Sequence, residues 1–456
     1  MNFLLTSILF FFITLSILVI VHEFGHFWVA RRLGIKVLCF SVGFGKPLWS
    51  FRDKTGTEYI LSALPLGGYV KMLDEREGTV PPEELPRAFN RQPLLSRIAV
   101  VCAGPLFNLL FAFLVYWLIF VIGQSVAVPI IGSVKTASIA SKAKLSAGDE
   151  IVAVDGVSTR SWPAISFALL EHLGEQVKLQ IDVKKQHSDE SRAYILDLGA
   201  WSNDNKILNP LESLGIVPYH PPLPTVIGAV VANGPAARVG ILAEDRILAV
   251  DGKTVSHWEE LVNIIQKNPK KRVNLEVLRQ NNHLNIGVIP ELHESETNKK
   301  TGFLGIQSKP PIWPAELLRN EQFSVLGAWS PAFIETWKMT KFSVAMLGKL
   351  ITGKIATTNM SGPVGIASTA GLSISLGWTA YLSFLALLSI NLAILNMLPI
   401  PLLDGSHLVY YLIEFVTGKP VSNEVQNLGA WVGMILLAGL MLIAFFNDVS
   451  RLLINN

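Results

Sequence analysis

Two histidines and a glutamate near the N-terminus have the spacing of a metal site. His22, Glu23 and His26 form the pattern His-Glu-x-x-His. On a helix, residues four apart lie on one face, so both imidazoles can reach a single ion. This pattern is typical of zinc sites in which the glutamate acts as a general base. The motif therefore predicts Zn²⁺-dependent hydrolysis, with His22 and His26 as ligands and Glu23 as the catalytic residue.

The metal motif follows a long apolar run. The run contains no charged residue before Glu23, and about twenty apolar residues are enough to cross a bilayer. A secretory signal peptide is disfavoured, since no basic residue precedes the run and no small-x-small cleavage site follows it. We therefore expect a retained transmembrane helix over residues 1–30. Arg31, Arg32 and Lys36 come next, and the positive-inside rule puts the N-terminus outside and the site near the cytoplasmic face.

The composition indicates an integral membrane protein with soluble parts. Half of the 456 residues are hydrophobic and 16% are charged. Further apolar stretches predict transmembrane helices at 98–122, 377–404 and 429–446, which returns the C-terminus to the outer side. The net charge of +3 includes no long basic run, so nucleic acid is not expected as a partner.

Asp404 is the best candidate for a third zinc ligand. A catalytic zinc site usually has three protein ligands, and the segment just after His26 offers none in a convincing setting. Asp404 ends the third apolar stretch behind Pro399 and Pro401, at a depth that matches the histidines. A carboxylate at that depth is costly unless it is paired or binds a cation. The same stretch contains two asparagines that could donate hydrogen bonds to substrate or bond between helices, Asn391 and Asn396.

The cytoplasmic segment 31–97 contains two short runs of β-forming residues. Glu58–Leu64 and Gly68–Leu73 are separated by a Pro-Leu-Gly turn, which predicts a small membrane-associated β-hairpin. The edge of such a hairpin could hold an extended substrate by strand addition. A hairpin without that role is the alternative. The candidate substrate-binding residues are Tyr59, Ile60, Leu61, Gly67 and Gly68.

The region from 126 to 310 has a soluble composition and an internal repeat. Residues 149–156 read Asp-Glu-Ile-Val-Ala-Val-Asp-Gly and residues 245–252 read Asp-Arg-Ile-Leu-Ala-Val-Asp-Gly, with Trp162 and Trp258 in the same register. This predicts two copies of one α+β domain, 126–220 and 221–310. Both copies resemble PDZ domains of the circularly permuted bacterial type. The resemblance implies binding of a free chain terminus by strand addition, whereas a rigid screen that binds nothing is the alternative.

The segment 311–376 is expected to be a linker with an amphipathic helix. Phe333–Ile351 places Lys338, Lys341 and Lys349 on one face and aromatic residues elsewhere. Such helices commonly lie on a membrane surface in contact with lipid, although an ordinary packed helix fits the same pattern. Ser361–Ile366 is rich in chain breakers and predicts a loop.

Taken together, these motifs resemble the site-2 intramembrane metalloproteases. The matching residues are His22–His26, the pattern Asn396-x-x-Pro399-x-Pro401-x-x-Asp404-Gly405, the tandem insert and Gly362-Pro363-Val364. Ser406 departs from the family, which often has glycine there. The fold expected is a polytopic α-helical membrane protein with four transmembrane helices, two inserted α+β PDZ-like domains and a small β-hairpin.

The resemblance also implies a function in regulated intramembrane proteolysis. Bacterial members of the family cut the transmembrane segments of single-span proteins in the inner membrane, such as an anti-sigma factor after its first-site cleavage, and remnant signal peptides are a further implied substrate class. The PDZ-like pair is then periplasmic and screens substrates by size. Two alternatives remain open: a membrane-anchored zinc protease acting in soluble space, with its third ligand in a soluble segment, and a non-catalytic PDZ scaffold or chaperone.

Overall fold

The computed structural model describes residues 3–76, 78–185, 190–201, 209–294, 300–353, 357 and 360–454. The helices in chain order are α1 Phe3–Arg32, α2 Leu94–Ile122, α3 Ile139–Lys142, α4 Trp162–Glu171, α5 Pro210–Leu214, α6 Pro235–Arg238, α7 Trp258–Lys267, α8 Trp329–Ile351, α9 Pro363–Ser375, α10 Trp378–Met397, α11 Asp404–Thr417 and α12 Asn423–Ile454. The strands are β1 Val37–Arg52, β2 Glu58–Met72, β3 Gln124–Ala127, β4 Ile131–Val134, β5 Glu150–Val154, β6 Val157–Ser158, β7 Lys178–Lys184, β8 Ser191–Asp197, β9 Ile216–Pro218, β10 Ile227–Val230, β11 Arg246–Val250, β12 Lys253–Thr254, β13 Val273–Arg279, β14 Asn282–Val288, β15 Glu291–Glu294, β16 Lys300–Phe303, β17 Ile306–Ser308 and β18 Leu318–Glu321.

Four helices in the described part of the chain are long and apolar enough to cross a membrane. They are α1, α2, α10 and the part of α12 from Asn423 to Ser450, which agrees with the four spans predicted from the sequence. Helix α2 packs against both α1 and α10. Gly25 allows α1 to approach α2 closely, because a Cβ at this position would lie 2.5 Å from the Ala103 carbonyl oxygen. The histidine-bearing half of α1 is thereby held against α2.

The third predicted span is shorter than expected. The prediction that residues 377–404 form one helix is wrong, because α10 ends at Met397 and Asp404 is the first residue of α11. Pro399 and Pro401 explain the break, since each lacks the N–H that would continue the helical hydrogen-bond ladder. Asp404 is therefore presented by the start of a new helix rather than by the end of a span.

The structure also differs from the sequence-based prediction at the start of helix α9. Part of the loop predicted over Ser361–Ile366 is helical, because α9 begins at Pro363. Proline is well suited to the first turn of a helix, where its missing N–H would have had no partner within the helix. Asp448 of α12 accepts hydrogen bonds from the backbone amides of Gly362 and Gly365, which stabilises the start of α9.

The predicted hairpin in the segment 31–97 has a different pairing. Glu58–Leu64 and Gly68–Met72 belong to one strand, β2, and both parts pair with β1 rather than with each other. Residues 39–42 of β1 have a β2 partner on each side, while residues 47–52 pair only with the first part of β2. The sheet thus contains four segments: residues 39–42 run antiparallel to 68–71 and parallel to 58–61, and residues 49–52 run antiparallel to 58–61. The sequence did not predict β1, because Gly43, Gly45 and Pro47 interrupt its pattern.

Helix α8 agrees with the predicted amphipathic helix and begins four residues earlier. Ala332 and Met339 are buried in an apolar cluster shared with α2 and α10, whereas Phe333 and Trp337 on the other side are exposed. Phe342 also contacts Phe167 of α4. The helix therefore contacts both the bundle and the insert.

The insert between α2 and α8 contains two four-stranded antiparallel sheets with equivalent strand orders, β6-β5-β7-β8 and β12-β11-β13-β14. A ten-residue helix, α4 or α7, accompanies each sheet, and each unit has its own apolar core. Strands β3 and β18 pair with each other at the two ends of the insert. This pairing closes the insert next to the point where α2 ends.

Candidate metal centre

Three side chains from distant parts of the chain meet beside α2. Nε2 of His22 lies 3.0 Å from Oδ2 of Asp404, and Nε2 of His26 lies 3.4 Å from the same oxygen. The two Nε2 atoms are 3.2 Å apart. Among the described residues, these three form the one group of histidine, cysteine or acidic side chains arranged to hold a metal ion. The expected ligand set is therefore brought together.

The spacing of these atoms fits zinc. With bonds of about 2.1 Å, a tetrahedral site separates its ligand atoms by about 3.4 Å. The three measured separations lie between 3.0 and 3.4 Å. Oδ2 of Asp404 is buried and has no hydrogen bond of good geometry within the described chain. Two imidazole nitrogens and one carboxylate oxygen are also the donor set that zinc accepts.

The turn before α11 positions Asp404. Leu402 has a φ of 81°, a strained left-handed conformation that non-glycine residues seldom adopt. Gly405 packs so tightly that a Cβ there would clash with the Leu398 carbonyl. Gly433 of α12 packs against Pro401 with similar tightness. The ligand loop is therefore confined between the end of α10 and the fourth span.

One face of α2 contacts the far sides of both imidazoles. Nδ1 of His26 lies 2.8 Å from the Val100 carbonyl oxygen, and Nδ2 of Asn108 lies 3.1 Å from Nδ1 of His22. Between them, a Cβ on Gly104 would clash with the His26 ring. The sequence pattern alone did not indicate that these three positions belong to the site. A polar residue within an uncharged span was the available signal for Asn108.

Glu23 lies between the ligand atoms and the β-sheet. It is adjacent to His22 in sequence, and its charge interacts with His26, His22 and Asp404. The Val70 backbone amide of β2 faces its carboxylate. A Cβ on Gly68 would lie 3.2 Å from Cγ of Glu23, so this part of β2 packs directly against α1. Glu23 thus lies between a metal-ligand group and an edge of the sheet.

The two predicted asparagines have different environments. Nδ2 of Asn396 lies 3.1 Å from Nε2 of His22, directly beside the ligand group. Asn391 has no hydrogen bond to any side chain of this group among the described residues. The two asparagines are five residues apart on α10, which rotates them by about 140° around a helix. Only Asn396 is therefore placed at the centre.

The candidate substrate-binding residues on β2 also separate into two groups. Gly67 and Gly68 begin the outer segment of the sheet, next to Glu23. Tyr59, Ile60 and Leu61 lie in an inner segment with partners on both sides, so their backbone groups face other strands of the sheet. The Tyr59 hydroxyl donates to Asp53 and accepts from Arg31. A free edge is what strand addition requires, and these three residues do not provide one.

Comparison with known proteins identifies the family. The model of peptidase family M50 matches residues 10–440. The chain belongs to peptidase family M50. This M50 peptidase is 44% identical to the regulator of sigma-E protease RseP of Escherichia coli, over 97% of this chain and 98% of that protein. It is 42% identical to protease RseP of Yersinia pestis, over 98% and 99% of the two chains.

A third relative, a zinc metalloprotease of Vibrio cholerae by its description, is 40% identical over 97% of this M50 peptidase and 98% of its own length. Among solved structures, HtrA-type protease AlgW with decapeptide is 20% identical and covers 29% of this chain and 42% of its own, with a TM-score of 0.14. That score is too low to establish a shared fold.

These relationships confirm the resemblance to site-2 proteases. The M50 peptidase is a zinc metalloprotease, and it is a multi-pass protein of the inner membrane with β-rich units inserted between its membrane helices. A protease of this type acts on a membrane-bound substrate.

Proposed function

We propose that the protein hydrolyses peptide bonds within the membrane, with His22, His26 and Asp404 holding zinc and Glu23 acting as the general base. The convergence of the three ligand atoms at separations of 3.0 to 3.4 Å, two of them on the membrane helix α1, carries this proposal. It also disfavours a zinc protease of soluble space, because that alternative needs a third ligand from a soluble segment. The histidines and Asp404 are contributed instead by the membrane part of the fold.

The chemistry assigns one task to each side chain. Zinc, when bound, supplies a Lewis acid that activates water and polarises the scissile carbonyl. The Glu23 carboxylate takes a proton from the attacking water and passes it to the leaving amine nitrogen. The Asn396 amide donates a hydrogen bond to the substrate carbonyl oxygen as negative charge develops on it. Asn391 has a packing role in this proposal. Within the described chain, its side chain makes no hydrogen bond to the ligand group.

The outer segment of β2 is the proposed holder of substrate. A transmembrane substrate must be locally unwound before its peptide bonds can react, because helical hydrogen bonds hide them. Gly67, Gly68 and the residues to Met72 offer an edge beside Glu23 to such an extended chain. Tyr59, Ile60 and Leu61 support this edge from within the sheet. Met72→Pro removes a backbone N–H of this segment two residues beyond the Val70 amide that faces Glu23, and it should strongly reduce cleavage with zinc retained, whereas Ser50→Pro on the opposite edge should not.

The two units of the insert are proposed to be PDZ-like domains, residues 126–220 and 221–310, that screen substrates. Equivalent strand orders and ten-residue helices support this assignment. Asp149 and Asp245 are both buried and pair with Lys185 and Arg279. If the units bind a chain end, a peptide with a free carboxylate should bind the full-length protein more tightly than its amidated form. Equal affinity would leave screening by size as their function.

The proposed orientation places the insert and both termini in the periplasm and the zinc site near the cytoplasmic face. Arg31, Arg32 and Lys36 at the sheet side of α1 support it. A cysteine introduced at Lys253 should react with an impermeant reagent from outside the cell, and one at Lys54 should react only after permeabilisation. Both variants need Cys39 and Cys102 replaced by serine. Labelling of Lys54→Cys from outside would reverse the orientation.

The proposed substrates are single-span membrane proteins, including an anti-sigma factor, in line with the names of the sigma-E protease relatives. Remnant signal peptides are a second proposed class. Purified protein should cleave a single-span reporter, and a zinc chelator, Glu23→Gln and Asp404→Ala should each stop cleavage. Attaching a bulky folded domain to the outer end of the reporter should slow cleavage if the insert excludes intact substrates. Full activity of both variants would refute the ligand and base assignments.

A further inference from the structure

Three residues of α2 form a stripe against the two histidines. Val100, Gly104 and Asn108 are spaced four apart, so they lie on one face of the helix. His22 and His26 have the same spacing on α1. Val100 offers a carbonyl oxygen to His26, Gly104 leaves space for the rings, and Asn108 places its amide beside His22. Each imidazole therefore has its own polar partner on α2.

The tautomer of each histidine follows from its role as a ligand. A neutral imidazole has one N–H and one nitrogen lone pair. If both Nε2 atoms bind zinc, both Nδ1 atoms carry hydrogen and each needs an acceptor. The Val100 carbonyl oxygen, 2.8 Å from Nδ1 of His26, is such an acceptor. His22 requires an equivalent one.

Asn108 is the side chain placed to supply it. Its Nδ2 lies 3.1 Å from Nδ1 of His22, and its Oδ1 is buried with no hydrogen-bond partner in the described chain. A half-turn of the amide exchanges these two atoms. We propose that Asn108 is the positioning residue of His22: with zinc bound, Oδ1 of Asn108 accepts the Nδ1–H of His22 and holds Nε2 toward the metal. This proposal rests on the proposed ligand set.

The surroundings of Asn108 restrict its movement. The residue is fully buried, and its backbone carbonyl accepts a hydrogen bond of 2.8 Å from Oγ of Ser389, which is also fully buried. Helix α10 therefore holds the backbone of Asn108 in place. This contact provides a control, because Ser389→Ala loosens the same helix pair and leaves the amide intact.

The test compares zinc affinity in three variants of the full-length protein by competition with a chromogenic chelator. Asn108→Leu removes the acceptor at similar size, and loss of such a partner typically weakens metal binding about 10- to 100-fold. Asn108→Asp keeps an oxygen acceptor and should remain within a few-fold of the original affinity. Ser389→Ala should do the same. Unfolding temperatures of the metal-free proteins verify that each variant folds, and Asn108→Ala replaces the leucine variant if that protein does not.

Two results would overturn the positioning role. One is an affinity of Asn108→Leu equal to that of the unchanged protein. The other is an equal loss in Asn108→Asp and Asn108→Leu, which indicates a packing role. Failure of the proposed zinc site has a separate signature, because His22→Ala and Asp404→Ala would then retain zinc as well.

Discussion

Arg97 of α2 and Glu414 of α11 form an ion pair between two helices that meet at the proposed zinc site. The guanidinium donates two hydrogen bonds to the carboxylate, of 2.6 and 3.1 Å, and also lies over the Tyr411 ring. Both side chains are largely buried, at 14% and 19% exposure. Since α11 begins with Asp404, this pair fixes the helix that carries the third ligand to the helix that contacts both histidines.

Removal of one partner should therefore weaken both the fold and the zinc site. Arg97→Met leaves the Glu414 carboxylate buried without its guanidinium, which should lower the free energy of unfolding by about 3 kcal/mol. Zinc affinity should fall as well. Lys135→Met breaks the exposed pair with Glu212 and should cost less than about 1 kcal/mol. Chemical denaturation in detergent measures both, and equal losses in the two variants would contradict the role given to Arg97.

Gly104 should tolerate no side chain. Gly104→Ala places a methyl group against the rings of His22 and His26, so α1 must shift and the ligand atoms separate. Zinc content of the purified variant should be strongly reduced. Gly439→Ala is the matched control, because a Cβ at that position has no neighbour within 4 Å and should leave zinc content unchanged. Full zinc occupancy in Gly104→Ala would show that the packing of α1 on α2 is looser than described.

Lys349 should hold the first unit of the insert against α8. Lys349 is 8% exposed, and its ammonium group donates hydrogen bonds to the carbonyls of Glu171 and Leu173 at the end of α4 and lies 3.3 Å from the Glu175 carboxylate. Lys349→Met leaves these acceptors without their donor, so amide hydrogen exchange in α4 should become faster. Lys341→Met, which alters an exposed lysine of the same helix, should have no such effect. Unchanged exchange in Lys349→Met would exclude this lysine as the link.

The second unit of the insert should lose stability in acid. Burial alone would raise the pKa of Asp245, but hydrogen bonds from the Arg279 guanidinium and the Leu242 amide hold this pKa below its usual value. A lowered pKa stabilises the fold above the pKa of the unfolded state, about 4, and this contribution is lost as the pH falls below it. Exchange in β11, corrected for intrinsic rates, should therefore accelerate below about pH 4.

Arg279→Met should weaken the pH dependence of β11 and make its exchange fast already at neutral pH. Lys309→Met, which breaks an exposed pair with Glu244, should preserve the dependence. The same acid response in the Arg279 variant as in the unchanged protein would show that another group causes it.

The sequence predicted the parts of the site that depend on local spacing. Helical periodicity places His22 and His26 on one face of α1, and an acidic residue at membrane depth indicated Asp404. The contacts on α2 depend on the relative rotation of two helices, which local pattern does not encode. One of these contacts is a backbone carbonyl, at Val100, which has no signature in the sequence.

The remaining differences in the fold have similar causes. Glycine and proline residues interrupt the β-forming pattern of β1. The residues before and after them still pair with β2, which provides partners for both parts of β1. Pro65 and Gly67 lie between the two parts of β2, and this pattern predicts a hairpin where the structure has one interrupted strand. The helix that begins at Asp404 follows a turn in which Leu402 has a left-handed backbone conformation. The intrinsic backbone preference of leucine does not favour this conformation, so the sequence did not predict the turn. The repeated pattern of the insert, in contrast, did predict two units with the same order of strands.

The most direct test of the proposed mechanism measures zinc content and cleavage of a single-span reporter in the same preparations of Glu23→Gln and Asp404→Ala. Glu23→Gln should retain one zinc per chain and lose cleavage, because it removes the base and leaves all three ligands. Asp404→Ala should lose both. Cleavage by Glu23→Gln at the original rate, or full zinc content in Asp404→Ala, would contradict the division between base and ligands on which the proposed mechanism depends.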